Sequence, residues 1–295
     1  MPVPTRLWPK YAPGSETPVD AIQASCGMLE LLTNTANSLF VMCLITFAWR
    51  TLPDSPLVFL GNRDEFHQRP AAPAHWWDNP AGILAGRDLQ ADGTWLGLNR
   101  QGRFAVVTNF REGGREPASR SRGELVTRFL EGMDSDAHWN SLHEQADDYA
   151  GFNLIFYDGE SLGYFSNRGM HRRSLEAGLY ALSNHFLDTP WPKVTRLKKA
   201  LNEQLQVRWC EEAMLDLMRD RQPAPDEDLP DTGIGKQWER MLSPAFIVSE
   251  EYGTRCTSLV RQDQHGEFSF TERSFDRDGL PTTTRQFTFS PDQDT

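Results

Sequence analysis

Apolar positions recur with two periods along this chain, and together they predict strands at both ends of a helical middle. Residues 43–49 and 56–61 are two apolar runs joined by a turn containing Pro53 and Asp54, the pattern of a β-hairpin. Further strands are predicted over 83–86, 95–98 and 104–110, separated by the turn signals Asp92-Gly93 and Gln101-Gly102. Ser121-Arg122-Gly123-Glu124 has the form of a capping box, and Leu125, Val126, Phe129 and Leu130 behind it share one helical face. A second helix is predicted over 136–149, and strands resume over 153–158, 162–166 and 179–183. Thr189-Pro190 reads as a cap followed by proline at the first helical position, with Val194, Leu197, Leu201 and Leu205 at helical spacing. The pattern closes with a helix over 211–219, a Pro- and Asp-rich loop over 222–235, and strands over 245–248, 257–262, 267–275 and 285–289. This order predicts one α+β domain over 42–295, with sheets packed together and helices outside.

Residues 1–41 differ from the rest. Five of the nineteen prolines fall within the first twenty positions, and no periodic apolar pattern crosses the segment. The polar run 33–37 interrupts the only stretch resembling a secretory signal. The expectation is either a disordered extension or a chain whose translation begins at Met42. In the second case, removal of that methionine would leave Cys43 at the N-terminus.

Charge and composition narrow the function. The net charge of −11, from 30 basic and 41 acidic residues, argues against a general nucleic-acid binder. No apolar run reaches the length of a membrane span, so no integral membrane contact is expected. Cys26, Cys43, Cys210 and Cys256 form no CxxC pair, which fits a reducing, cytoplasmic setting better than a disulfide framework or a zinc site. Phosphate-binding glycine loops, HExxH and GxSxG are all missing. His138 and His143 lie five apart, off the helical metal-pair spacing, and no metal site is predicted.

The chemistry concentrates in the first hairpin, whose geometry sets Cys43 beside Asn62-Arg63-Asp64-Glu65. A thiol near an arginine and carboxylates suits a nucleophile or a ligand grip; equally, Cys43 can be a small buried residue and the charges a solvated turn. Asn109, Asn184 and Arg255 stand at strand ends, where amides donate to an oxyanion or cap turns. With Cys43 at an N-terminus, an α-amine of pKa about 7.7–8.0 would match a thiol of about 8.5 for proton transfer. Arg63 would favour the thiolate, Asp64 or Glu65 would orient the amine or the arginine, and Asn109 and Asn184 would hold the oxyanion.

These residues resemble the NRDE family, also called the transport and Golgi organisation protein 2 family. The likeness runs from Met42-Cys43 through 62–66, Arg69-Pro70, Gly93-Thr94-Trp95-Leu96-Gly97, Thr108-Asn109-Phe110 and Arg122-Gly123-Glu124-Leu125. It continues through Gly151-Phe152-Asn153-Leu154, Asn167-Arg168-Gly169, Leu182-Ser183-Asn184, Thr189-Pro190-Trp191, Tyr252-Gly253-Thr254-Arg255 and 270–274. The resemblance implies a four-layer αββα sandwich like that of N-terminal-nucleophile hydrolases. A more distant similarity to choloylglycine hydrolases and penicillin V acylases implies catalytic roles for Cys43, Arg63, Asp64 or Glu65, Asn109 and Asn184, with Arg255 beside them. The family's association with haem trafficking and with acyl-CoA and lipid homeostasis implies a small-molecule partner, haem or acyl-CoA, with no cofactor required for the fold.

Three function classes follow: a carrier using the nucleophile pocket as a binding site, a cysteine amidohydrolase cutting a non-peptide C–N bond, and a non-catalytic scaffold. Candidate ligand-binding residues are Asn62, Glu65, Trp95, Phe110, His185 and Lys193. Trp76, Trp77 and Trp95 line an apolar pocket or belong to the core. Lys193, Arg196, Lys198 and Lys199 meet phosphates or form a solvated face. Cys43, His67 and His185 are the candidate axial ligands for haem.

Overall fold

The computed structural model describes residues 42–113 and 118–292, all within one compact unit. The expected extension over 1–41 lies outside the described residues. In chain order come β1 (Met42–Leu52), β2 (Ser55–Phe66), β3 (Ala71–Trp76), β4 (Leu84–Asp88), β5 (Leu96–Leu98) and β6 (Phe104–Asn109). Helices α1 (Gly123–Leu130) and α2 (Ser135–Glu144) precede β7 (Phe152–Tyr157), β8 (Leu162–Ser166), β9 (His171–Ser174) and β10 (Gly178–Leu182). Helices α3 (Pro192–Gln204), α4 (Glu211–Leu217) and α5 (Lys236–Met241) lead into β11 (Tyr252–Gln262), β12 (Phe268–Phe275) and β13 (Pro281–Phe289).

The strands form two antiparallel sheets. One has six strands in the order β10-β1-β2-β11-β12-β13, and the other is a seven-stranded meander from β3 to β9. Because side chains alternate across a strand, each sheet has two faces to cover. Ile45, Phe47, Phe59, Val260 and Phe270 of the first sheet meet Phe104, Val106 and Ile155 of the second. On the far side of the first sheet, Leu44, Val58, Leu60 and Leu259 pack on Val194, Leu197 and Leu201 of α3 and Met214 and Leu215 of α4. On the far side of the second, Ala105, Val107, Leu154 and Phe156 pack on α1 and on Trp139 and Leu142 of α2. The result is the four-layer αββα sandwich. Both faces of each sheet are buried, which explains why the central strands read as apolar runs rather than clean alternation.

Two strands were not legible in the sequence. β3 contains Pro73, which sits in a register shift between Ala72 and His75 on an edge strand, where a missing N–H is tolerated. β9, His171–Ser174, is wholly exposed and polar and carries no apolar signal. The strand predicted over 245–248 is absent; Val248 makes only an isolated bridge to Gly253. Helix starts also differ. Glu124 pairs with Arg120 instead of closing a capping box. Asp134 caps α2 through Asp136 N–H at 3.0 Å, and α2 stops at Glu144 before a 3₁₀ turn over Ala146–Asp148. Helix α3 starts at Pro192, while Thr189 shares a hydrogen bond with His185 instead of capping.

Candidate functional site

The hairpin register sets Cys43 opposite Arg63. On the other side of β2, a register shift in β11 at Arg255 brings Cys256 opposite the same arginine. Arg63 is therefore flanked by a thiol on each neighbouring strand, all three on the face turned toward the second sheet. Two strand spacings separate the cysteines, about 9–10 Å, too far for a disulfide, which needs Cα atoms within about 7 Å.

The period of two divides the quartet 62–65. Arg63 and Glu65 share the inner face with Cys43, whereas Asn62 and Asp64 turn to the helix layer. Glu65 accepts the Phe66 N–H at 2.9 Å and lies 3.5 Å from Arg63 and 3.6 Å from Arg69. Asp88 of β4 binds both arginines, at 3.3 Å from Arg63 and 2.7 Å from Arg69. Asp88 is consequently held below the usual carboxylate range: burial opposes this, but the Arg69 hydrogen bond, the Ala91 N–H and both arginine charges outweigh it. Glu65 is raised, because its deeper burial outweighs the same arginines.

Burial decides the state of Cys43. It pushes the thiol up to about 12; Asp64 and Glu65 add to the effect, and Arg63 and a hydrogen bond from the Asp64 backbone only partly offset it. Cys256 is likewise raised by burial, and its thiol donates to Glu272, which also accepts the Ala74 N–H at 2.6 Å. Both inner-face thiols are held protonated.

On the helix side, Asn62 is a structural residue, not a ligand contact. Its amide donates to the carbonyls of Met218 at 2.9 Å and Ala245 at 2.7 Å, and its oxygen accepts from Thr257 at 2.6 Å. Local chain stretches with no β ladder of their own are thereby pinned to β2. Asn62→Ala is expected to lower stability by about 2–3 kcal/mol, because three buried partners lose their bonds; urea unfolding measures it, and a loss under about 0.5 kcal/mol would contradict this role. Asp64 accepts from Thr254 at 2.7 Å, and burial lifts its pKa to about 6 against the opposing pull of Lys193 and Thr254. Lys193 corrects the sequence reading. It is buried, donates to the Leu242 carbonyl at 2.8 Å, and is pushed down to about 7 by burial and by Arg111. It belongs to no exposed phosphate-facing cluster, and Arg196, Lys198 and Lys199 each have a carboxylate partner, Asp220, Asp188 and Glu203.

The amides do come together. Asn184 donates to the Asn109 carbonyl at 3.1 Å and accepts from Ser183, so its amide already has a partner. Phe110 stacks 5.0 Å from both His185 and Phe186. Trp95 reaches β2, where a Cβ on Gly61 would come within 3.0 Å of its ring tip. A side chain there would press on the indole, which would have to shift by a few tenths of an ångström. Trp76 and Trp77 do not join it in one pocket: Trp76 packs on Phe289, and Trp77 lies on the helix side of its sheet. Arg255, expected at the catalytic centre, is a clamp. Its Nη1 donates to the carbonyls of Phe66, His67 and Arg69, fixing the turn that carries Arg69.

Arg69, Asp88, Arg122, Cys256 and Glu272 belong to this neighbourhood and were not singled out from the sequence. Arg69-Pro70 and Arg122-Gly123 lay within motifs, and alternation along 62–65 was the available signal for the split faces. Among the described residues no group of three His, Cys, Asp or Glu is placed to hold a metal, and no helix is long and apolar enough to cross a membrane.

The sequence model of the family Transport and Golgi organisation 2 matches residues 42–277. A mouse protein described as a Transport and Golgi organization 2 homolog is 33% identical over 273 residues, covering 84% of this chain and 99% of its own. The human homolog is 34% identical over 274 residues, covering 84% of this chain and 99% of its own. Among solved structures, the Caenorhabditis elegans ortholog of N-acylethanolamine-hydrolyzing acid amidase is 11% identical with a TM-score of 0.40, covering 74% of this chain and 92% of that one.

Proposed function

Because the chain belongs to the Transport and Golgi organisation 2 family, whose motifs gather around Cys43, we propose that it binds a small acyl metabolite there and carries it without turnover. The observation that carries this reading is the state of Cys43. Its thiol is held protonated by burial, with a pKa pushed up to about 12. A cysteine nucleophile acts as a thiolate, and burial disfavours that form here. Around it, Arg63, Arg69 and Arg122 offer a cationic wall and Trp95 an aromatic face, a pairing suited to a ligand with one polar and one apolar end.

A second reading is favoured by one observation: the family match begins at Met42, immediately before the thiol. A chain released at Cys43 would carry an α-amine beside its own thiol and Arg63, and would be a cysteine amidohydrolase for a linear amide. Tryptophan fluorescence with palmitoyl-CoA below its micellar concentration separates the two. The carrier reading expects saturable binding by the full chain, Cys43→Ala within about twofold of wild type, and no free CoA. Turnover that disappears in Cys43→Ala would replace it with a hydrolase, and an absence of saturable binding would remove it.

A further inference from the structure

Five guanidinium groups gather around the Cys43 end of the inner face; three have carboxylate partners, and a fourth, Arg255, is taken up by the carbonyls of Phe66, His67 and Arg69. Arg63 and Arg69 share Glu65 and Asp88. Arg168 chelates Glu112, with Nε 2.9 Å from Oε2. Arg122 has no ion pair among the described residues, and its Nη1 reaches only the Gly151 carbonyl, at 3.3 Å. Yet it lies within electrostatic reach of Cys43 and Glu65, and burial pushes its pKa down to about 10. A cation that is costly to desolvate is normally matched by a partner.

The backbone that carries Arg122 is held in place. It immediately precedes α1, and Gly123 touches the 93–94 turn so closely that a Cβ on Gly93 would lie 2.8 Å from the Gly123 carbonyl carbon. A Cβ on Gly123 would in turn lie 3.1 Å from the Thr94 nitrogen. A half-buried guanidinium on a fixed backbone beside the Cys43 thiol, with Glu65 and Glu112 acting on it from beyond ion-pair distance and each already bound to another arginine, keeps N–H groups for an oxyanion on the ligand.

We propose that Arg122 determines ligand specificity by receiving a carboxylate or phosphate of the acyl ligand, which sets the ligand's anionic head next to Cys43. This rests on the carrier reading. The arginine fork binds either oxyanion through two N–H groups, so the shared chemistry is the planar or tetrahedral anion rather than one named metabolite.

The test uses the full chain and three probes of equal chain length: dodecanoate, dodecyl phosphate and 1-dodecanol, each titrated below its micellar limit against tryptophan fluorescence. Wild type is expected to bind at least one of the two anions roughly tenfold or more tighter than the alcohol, the scale of a charge-assisted hydrogen bond. Which anion binds tighter identifies the source of the oxyanion. Arg122→Gln is expected to bring anions and alcohol to within about twofold, while Arg122→Lys, which keeps the charge, retains about threefold preference or more. Arg196→Gln, which removes a surface charge elsewhere, leaves the preference intact. An undiminished preference in Arg122→Gln overturns the assignment, as does a wild type that binds alcohol and anions equally; in both cases the carrier reading stands. A wild type that binds none of the three overturns the carrier reading and this assignment with it. The wild-type comparison and Arg122→Lys keep the test decisive if Arg122→Gln does not fold.

Discussion

Iodoacetamide at pH 8 is expected to alkylate Cys43 of the full chain about a thousand times more slowly than free cysteine. The thiol of Cys43 is buried with its pKa pushed up to about 12. Only the thiolate reacts, so against free cysteine of pKa about 8.5 the difference in ionised fraction at pH 8 alone supplies a factor on the order of a thousand, before any effect of access. The sign follows from the direction of the shift. A raised thiol pKa leaves the protonated form in place throughout the neutral range, and the rate keeps climbing with pH without levelling off near 9. Cys256, raised by the same cause, serves as an internal comparison and is expected to be slow as well. Peptide mapping by mass spectrometry reads each cysteine separately. The same measurement on protein beginning at Cys43 speaks to the second reading: a rate at least a hundredfold higher would show an activated thiol, roughly as an adjacent α-amine near pKa 7.7–8.0 would produce. Fast alkylation of Cys43 in the full chain would contradict the protonated, carrier-type site.

Arg111→Met is expected to destabilise the fold by about 3–5 kcal/mol, the typical consequence of leaving one member of a buried ion pair without its partner. Arg111 and Glu239 are both buried and joined directly through Nη1 and Oε2. The other oxygen of Glu239 accepts from the Thr232 hydroxyl at 2.6 Å and backbone N–H at 3.0 Å, so the carboxylate cannot turn toward water when the arginine is removed. Arg111 also lies 4.7 Å from the centre of the Trp191 ring, and its backbone N–H donates to the Asn184 carbonyl at 2.7 Å. The pair therefore joins α5 to the strand ends that carry Asn109 and Asn184. The Nε and Nη2 atoms of Arg111 have no partner, so the existing pair is already incompletely compensated. The double variant Arg111→Met/Glu239→Leu is accordingly expected to recover much of the loss, because it buries no charge at all. Denaturant unfolding of both single variants and the double variant measures this, and single losses below about 1 kcal/mol would show that water reaches the pair.

The hairpin, the pairing of Cys43 with Arg63, and the apolar faces of α1 and α3 were legible because each depends on nearby residues. Strand alternation, helical spacing and a short connection are local properties, and they survive whatever packs against them. Prolines and glycines misled in both directions. Pro73 concealed an edge strand that tolerates it, and Pro190 suggested a helix start that belongs to Pro192, since either proline supplies a suitable φ.

Other features depended on segments far apart in the chain. Asn62 looked like a ligand contact until the 218 and 245 carbonyls closed over it. Lys193 looked like part of a basic surface until α5 and its Leu242 carbonyl covered it. Arg255 looked catalytic until the turn after β2 folded onto its guanidinium. By itself the sequence determined the layered α+β architecture, the family and the placement of Cys43 beside residues 62–65, since these follow from period, turn chemistry and motif. Only the tertiary structure decided that burial holds Cys43 protonated, that Asp64 faces away from it, and that Arg122 has no ion pair among the described residues. The physical reason is that desolvation is not a property of a residue but of everything that covers it, and the groups gathered here come from strands and loops more than two hundred positions apart (Cys256 from Cys43, for one).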